Sequence, residues 1–584
     1  MNALAQAGPS EASEVLRPPA VEDQSDAARP APAAQPVGRV IAERLAAAGV
    51  RYAFTVPGES FLGLLDGLVE AGIRVIGTRH EGGAAFMAAA ATQMIGRPQA
   101  CLATRAVGTS NLAIGIHAAR ADSLPMIALA GQVQRPFRGR DAFQEADLVG
   151  SLGRLAKWAI EIRSPSSALE QLDEALLRAL EGRPGPILVA VPEDVLEKET
   201  SPASSGPPVP RVPSAEAAEI RAVLHLMAGS RRGVVLAGAG VQRGNAGRRV
   251  LRLAEILGVP IIASWRRPDV VANGHPLYLG MAGYGGPATV KARLEEADAL
   301  LVLGCRLNEP TSFGYRVPGP GTRWAQVDLE PLRERAGLSA PDIAVTSEVG
   351  RFLDAALELL RAGCLEAAPR ADRLAAAATD RDAYLAASIV DDHPWSGPGV
   401  HPGRIVATLR RVLSPETMLT TDAGNFGGWI ARGYRFRRPG TFLGSSAGAM
   451  GYAIPAAIAA SVIRPDRPVV ALVGDGGFGM SMNELETAVR EGASPIVLVF
   501  DNRRYGTIAM HQTQEGRPTT ASELGPIDVA GVARGLGAQA WTVTEDEAFE
   551  GVMTEVLAAG GPRVVHLALD PGWVSVDQVP HATA

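Results

Sequence analysis

Cysteine is scarce in this chain: three residues in 584, Cys101, Cys305 and Cys364. None stands in a Cys-x-x-Cys pair. That excludes a disulfide framework and a zinc ribbon, and leaves reduced, mostly buried thiols as the expectation. An excess of one charge is also missing. Against 56 Lys and Arg stand 62 Asp and Glu, a net charge of −6. There is no basic patch for nucleic acid and no long acidic tract. No apolar run is long enough to span a membrane. The N-terminal stretch carries Glu11, Glu14 and Asp23 and lacks the basic-then-apolar pattern of a signal peptide. A soluble cytoplasmic protein without membrane or nucleic-acid partners is expected.

What the chain does have is apolar content, 47% of its residues, enough for about three or four domains. Residues 1–36 are rich in Ala, Pro, Ser and Glu without apolar periodicity and read as a disordered tail. From Gly38 onward strands and helices alternate. Residues 52–56, 74–77, 100–104 and 126–130 read as strands, and 61–70, 83–94 and 110–119 as helices. The alternation predicts a doubly wound parallel sheet. Residues 200–213, TSPASSGPPVPRVP, form a linker. A second α/β segment follows, with strands at 233–237, 299–303 and 324–327. Its turn, GAGVQRGNAG, misses the strict dinucleotide fingerprint, which argues against a nicotinamide dehydrogenase. Packing and a tight turn account for those glycines. Residues 365–387 read as a second linker with helical character, and the stretch after Pro571 as loosely ordered. The domains are expected at 37–199, 214–364 and 400–575.

The most informative stretch is Gly474-Asp475-Gly476, then residues 477–500, then Asp501-Asn502. The apolar run VVALV (469–473) leads into the glycines, MNELETAVREG follows with helical spacing, and PIVLVF (495–500) ends at the Asp-Asn pair. Strand, Gly-rich loop, helix and strand make one parallel crossover unit. It brings Asp475 and Asn502 to the carboxyl ends of neighbouring strands, where open α/β sheets bind ligands. One carboxylate and one amide oxygen suit a hard divalent cation that shares phosphate oxygens. The glycines let backbone N–H groups approach a phosphate at the helix start. Ser481 with Glu484 fits a capping box there.

This stretch resembles the signature of thiamine-diphosphate (ThDP) enzymes. Other segments are similar to the same family: RHEGGAAFMAAA (79–90), GIHAARADSLPMIALAGQV (115–133), DAFQEAD (141–147), TTDAGN (420–425) and SSAGAMGYAIPAA (445–457). Within the family the chain most resembles the acetohydroxyacid (acetolactate) synthase group. The resemblance implies three α/β domains, pyrimidine-binding, central and diphosphate-binding, with ThDP and Mg²⁺ as cofactors. It implies that Glu81 meets N1′ of the aminopyrimidine and tunes the base that takes the proton from C2. Outside this motif, Glu81 would read as a surface glutamate. Met450 would be the apolar wedge that bends the cofactor, where composition alone suggests a core filler. The carbonyl of Gly448 would take the 4′-amino group. Asn425, Phe426, Gly476 and Gly477 would contact the diphosphate. Asp475, Asn502 and the carbonyl of Arg504 would hold the metal.

Glu59, in VPGES, matches a position where decarboxylases of the family carry an Asp or a Ser, and would relay protons. Its plainer reading is a first-turn glutamate favoured by the helix dipole. Gln132, Gln144 and His511 are pocket candidates. The implied partners are a 2-oxo acid, an aldehyde acceptor and further copies of the chain, as a homodimer or homotetramer. The resemblance further implies that Glu81 and Asp475 of one site come from different chains.

Several positions depart from the group. Asp501-Asn502 stands for Asn-Asn, and Arg105-Ala106-Val107-Gly108 for a Gly-Pro-Gly loop. Pro310 replaces an arginine that holds the substrate carboxylate, and His511 a tryptophan that shapes the acceptor pocket. The group's flavin contacts are not recognisable, so FAD stays possible but not supported. The expected reaction is 2-oxo acid decarboxylation with carboligation. A simple decarboxylase of the benzoylformate type is the alternative. A scaffold with a degenerate ThDP site is a reading of another class, disfavoured by Glu81, Asp475, Asn502 and Met450.

Overall fold

The computed structural model describes residues 33–332, 339–365 and 370–578. Residues 1–32 of the expected tail lie outside them. At 35 the chain is already paired: Gln35–Pro36 runs antiparallel to Glu199–Thr200, closing the first domain on itself.

Three six-stranded sheets follow, every neighbouring pair parallel. The first holds β1 (Tyr52–Thr55), β2 (Arg74–Gly77), β3 (Ala100–Thr104), β4 (Ile127–Gln132), β5 (Trp158–Glu161) and β6 (Ile187–Pro192). The second holds β7 (Val234–Ala237), β8 (Ile261–Ala263), β9 (Tyr278–Met281), β10 (Ala299–Leu303), β11 (Arg323–Asp328) and β12 (Ile343–Thr346). The third holds β13 (Met418–Thr421), β14 (Phe442–Gly444), β15 (Val469–Gly474), β16 (Ile496–Asp501), β17 (Gln539–Val543) and β18 (Arg563–Ala568). The spatial orders are β2-β1-β3-β4-β6-β5, β9-β8-β7-β10-β11-β12 and β14-β13-β15-β16-β18-β17. The first and third sheets therefore share one winding. In each, strand order reverses between its first and third strands, and the crevice beyond their carboxyl ends is the natural ligand position. β15 and β16 are buried along almost their whole length, which is why they read as unbroken apolar runs.

The first and third domains share a core. Helix Glu81–Ile95 is buried from Glu81 through Thr92 and packs on helix Ala453–Ile463, which is apolar on all sides. The ion pairs Arg74–Glu491 (3.0 Å) and Arg79–Glu486 (2.6 Å) rim this contact.

Two expectations, the Gly-rich loop and the capping box, are corrected here, and two others gain detail. The Gly-rich stretch after β15 is no loop: Asp475 opens a helix, Asp475–Ser481, with Gly474 as its N-cap. A second helix, Glu484–Arg490, follows after a break. Ser481 therefore closes one helix and Glu484 starts the next, so no capping box forms. Residues 105–108 form the first turn of helix Arg105–Ala121, with Arg105 at a left-handed φ of 41°. The second linker has the helical character expected of it, as helix Arg370–Ala386, and it is bound to the central domain: Asp380 pairs with Arg232 and Arg293, and Tyr384 meets Tyr278 edge-on.

The stretch after Pro571 is also docked. Trp573 is buried among Trp395, Trp429 and His401, its ring 4.3 Å from the His401 ring. His401 is fully buried, and its Nδ1 caps helix Pro402–Val412 by accepting the Gly403 N–H (2.9 Å). Burial, aided by Arg404, pushes its pKa down to about 4. The folded imidazole thus stays neutral while the unfolded one protonates near the ordinary histidine value of 6.5. The unfolded state binds the extra proton, so stability is complete above that value and falls as pH drops from 6.5 toward 4. Calorimetric melting across this range should show Tm falling with pH, and His401→Asn, which keeps the cap, should flatten the slope. An unchanged slope would assign the loss to other groups.

Candidate active site

A cavity of about 270 Å³ opens at the strand-order reversal of the third sheet. β13 delivers Ala423, Gly424, Asn425 and Phe426 to it. β15 delivers Gly474 to Gly477, and β16 delivers Asn502 and Arg504. Gly448 and Met450 form another wall. Phe426 stacks on Phe500 with ring centroids 5.5 Å apart, giving an apolar side.

Asp475 is 7% exposed. Burial and the nearby Asp501 push its carboxyl up to about 7. Asp501 itself is held by the Arg503 N–H (3.0 Å) and by His566 Nε2 (2.9 Å). Two close, poorly hydrated carboxyl groups beside an amide are a donor set that a divalent cation relieves. Asn502 Oδ1 accepts the Arg504 N–H at 3.3 Å. Among the described residues, no group of three or more His, Cys, Asp or Glu side chains could hold a metal ion. Asp475, Asn502 and the Arg504 carbonyl could offer such a cation one carboxylate, one amide oxygen and one backbone oxygen, with Asp501 behind them, and would leave coordination for phosphate oxygens.

Asp422 was not singled out in the sequence, although it lies in TTDAGN. It is 1% exposed and accepts the N–H groups of Gly451 and Ala453, each at 2.7 Å. These bonds set the turn that carries Gly448 and Met450. Burial pushes its carboxyl up to about 6. Gly477 must be glycine, because a Cβ there would run into Asp422 Oδ2. The Asn425 amide is already engaged: it donates to the carbonyl of Val574 (2.8 Å) and accepts from Thr507 (3.0 Å). The docked C-terminal segment therefore closes one end of the cavity, a role no local pattern announced.

Glu81 is elsewhere. It opens its helix after β2, is 8% exposed, and takes a hydrogen bond from Asn111 (2.9 Å). No residue of the first domain lines the cavity. Glu59 pairs with Arg105 (2.9 Å), and Arg105 with Glu193 (3.3 Å); the Glu59 side chain is 60% exposed. Gln132 is fully buried, bonded to Ala146 and Val133. Gln144 has a left-handed φ of 60° and a buried Oε1 with no partner. His511 lies on helix Gly506–Gln514 and lines a second chamber between the central and third domains.

The residue that ties the two regions is Glu484. It is 1% exposed, and its carboxylate accepts the N–H groups of Arg79 (3.1 Å) and His80 (3.0 Å) and the Thr487 hydroxyl (2.7 Å). Burial raises its pKa, against those three donors. A third-domain carboxylate thus fixes the backbone immediately before Glu81.

In the central domain, the Gly238-Ala239-Gly240 turn packs on a neighbouring loop: a Cβ on Gly240 would lie 2.6 Å from Gly304 Cα. Those glycines are accounted for by close packing, as the sequence suggested, and they make no case for FAD.

Comparison with known proteins follows the same division. The family model of the thiamine pyrophosphate enzyme N-terminal TPP binding domain matches residues 35–151, the central domain 220–356, and the C-terminal TPP binding domain 422–567. The probable acetolactate synthase large subunit of Methanocaldococcus jannaschii is 31% identical over 547 residues, 91% of each chain. The acetolactate synthase isozyme 1 large subunit of Escherichia coli is 30% identical over 535 residues, 89% of this chain and 92% of that one. The acetolactate synthase large subunit of Corynebacterium glutamicum is 30% identical over 510 residues, 85% and 80% of the two chains. With three domains matched in order, and a crevice whose donors suit a cation and a diphosphate, this chain belongs to the thiamine pyrophosphate enzymes, in their acetolactate synthase-like family.

Proposed function

We propose that the protein binds ThDP with Mg²⁺ and decarboxylates a 2-oxo acid, passing the remaining acyl unit to an aldehyde or second oxo acid. The observation that carries this reading is the desolvated Asp475 beside Asn502 at the strand reversal, facing Gly448 and Met450 across one cavity. ThDP, when bound, supplies the carbon nucleophile and electron sink that this chemistry needs. In the substrate the C1–C2 bond breaks and CO₂ leaves. The electron pair stays on C2 and forms a bond to the acceptor carbonyl carbon, whose oxygen takes a proton. If a proton takes the pair instead, the product is an aldehyde.

Asp475, Asn502 and the Arg504 carbonyl hold the cation; Asn425, Phe426, Gly476 and Gly477 border the diphosphate. Met450 supports the bend, and Glu81 holds the pyrimidine side. Glu59, paired with Arg105, is the proton relay of the decarboxylase alternative. Gln132 and Gln144 stay on the first-domain side of the pocket, and His511 on the acceptor side. The relatives are named acetolactate synthases, and Pro310 and His511 incline this chain toward aldehyde acceptors over a second pyruvate. CO₂ release from a panel of 2-oxo acids, with product masses read after adding aldehydes, tests the reaction. No CO₂ from any acid in the presence of ThDP and Mg²⁺ would overturn it.

The cavity lacks Glu81 within one chain, and this supports a homodimer or dimer of dimers in which the partner's first domain completes each site. Mixing inactive Glu81→Gln with inactive Asp475→Ala should then restore activity, since a mixed dimer carries one intact site. No recovery despite proven subunit exchange would refute the shared site. Three free thiols agree with a reducing, cytoplasmic setting. Among the described residues no helix is long and apolar enough to cross a membrane.

A further inference from the structure

The second chamber has a volume of about 310 Å³ and shares Ala423, Gly424, Asn425, Gly448 and Thr507 with the cofactor cavity. The two spaces are therefore neighbours across one wall. Its other walls are mostly apolar, including Trp265, Met281, Tyr284, Ile430 and Met510. Trp265 and Tyr284 meet edge-on at 5.8 Å. A dry cavity of about 150 Å³ accommodates benzene. This one has twice that space, far more than the methyl group of pyruvate fills.

One cation lines it beside the shared wall. Arg266 is 8% exposed, and its guanidinium lies 5.4 Å from the centre of the Trp265 ring. Its Nη2 donates to the carbonyl of Asp422 (2.9 Å), next to the shared Ala423. Among the described residues its planar fork makes no other side-chain hydrogen bond, which leaves donors for a carboxylate. Its neighbour Arg267 is committed instead, to Asp122 (2.8 Å). The Arg266 backbone sits at a left-handed φ of 62°, a conformation costly for a long side chain and concentrated at functional positions. Burial lowers its pKa to about 10, so it remains a cation at neutral pH.

Building on the 2-oxo acid reading above, we propose that this chamber receives the side chain of a bulky apolar 2-oxo acid, aryl or branched alkyl, and that Arg266 holds its carboxylate. Arg266 then does the work that Pro310 cannot, from a different strand end. His511, at the chamber wall, leaves the space open where a tryptophan would narrow it.

The test uses the apoprotein, which cannot turn substrate over, with phenylpyruvate, 4-methyl-2-oxopentanoate and pyruvate in titration calorimetry. The bulky acids should bind about 10-fold or more tighter than pyruvate. Arg266→Gln should weaken the bulky acids by about 10- to 100-fold, raise KM with kcat within a few-fold, and leave ThDP affinity unchanged. Arg266→Lys should recover part of the loss. Because Arg266 also bridges to Asp422, Met510→Trp serves as an independent variant: it fills the chamber without touching the arginine and should remove the preference for bulky acids. Pyruvate binding as tightly as the bulky acids, or Arg266→Gln binding them like the parent, would overturn the proposal. Binding is read without the cofactor and CO₂ release with it, so this inference and the reaction reading fail separately.

Discussion

Glu81→Gln is expected to keep its fold and its ThDP affinity while kcat falls by about 10²-fold or more, the scale of a lost proton-transfer group. The substitution removes a charge and almost no volume. It keeps a partner for Asn111 and leaves the buried face of the helix from Gly82 to Thr92 intact. The residues proposed to hold the cation and diphosphate lie on another domain, so docking of the cofactor should not depend on this carboxylate. The role assigned to it is electronic: a negative charge against the pyrimidine raises the basicity of the nitrogen that takes the proton from C2. Hydrogen–deuterium exchange at C2 of bound ThDP, followed by NMR, isolates that step from substrate binding. Exchange and turnover within a few-fold of the parent would remove Glu81 from the mechanism.

Asp475→Ala should abolish Mg²⁺-dependent ThDP binding. A supporting residue around a metal costs 10- to 100-fold in affinity when lost, and a direct carboxylate ligand should cost more. Without it the cation would keep only Asn502 and a carbonyl, both neutral, and the diphosphate would face the remaining negative Asp501. The apoprotein should tolerate the change. Its Asp475 is crowded against Asp501 and pushed up to about 7, so removal relieves repulsion and desolvation. The expected signature is opposed: Tm of the apoprotein unchanged or higher, and no rise in Tm on adding ThDP and Mg²⁺ where the parent gains it by mass action. Titration with unchanged cofactor affinity would refute the ligand assignment.

The cavity at the end of the third sheet was legible because its parts are close in sequence. One crossover places Asp475 and Asn502, and the apolar runs on either side could only be buried parallel strands. The helix opening at Asp475 was misread because glycines argue locally for a loop, whereas burial between β15 and β16 selects the helical turn. In the central sheet β8, β9 and β12 have three or four residues each, too few for a pattern to rise above the surrounding loops. Trp573 and Val574 looked loose because everything that orders them, from His401 to Asn425, is over a hundred residues away. Arg266 gave no signal at all: an arginine beside a tryptophan is ordinary in sequence, and only the fold turns it toward a chamber. Glu484 reads as the partner of nearby Ser481, whereas two of the groups it holds, the N–H groups of Arg79 and His80, belong to another domain.

That last carboxylate has a consequence for how the two halves of an assembly communicate. The helix ending at Ser481 and the one starting at Glu484 are separated by two residues, and Glu484 grips the peptide groups of Arg79 and His80 just ahead of Glu81. If Asp475 and Glu81 act as proposed, the cation-binding end of one site and the proton-handling end of the other are joined within a single chain through Glu484. In the dimer proposed above, a shift of Asp475 on filling the first pocket would reach Glu81 of the second through this contact. The two pockets would not fill as strangers. Their occupancies would be linked, with the linkage carried by a group that touches neither cofactor.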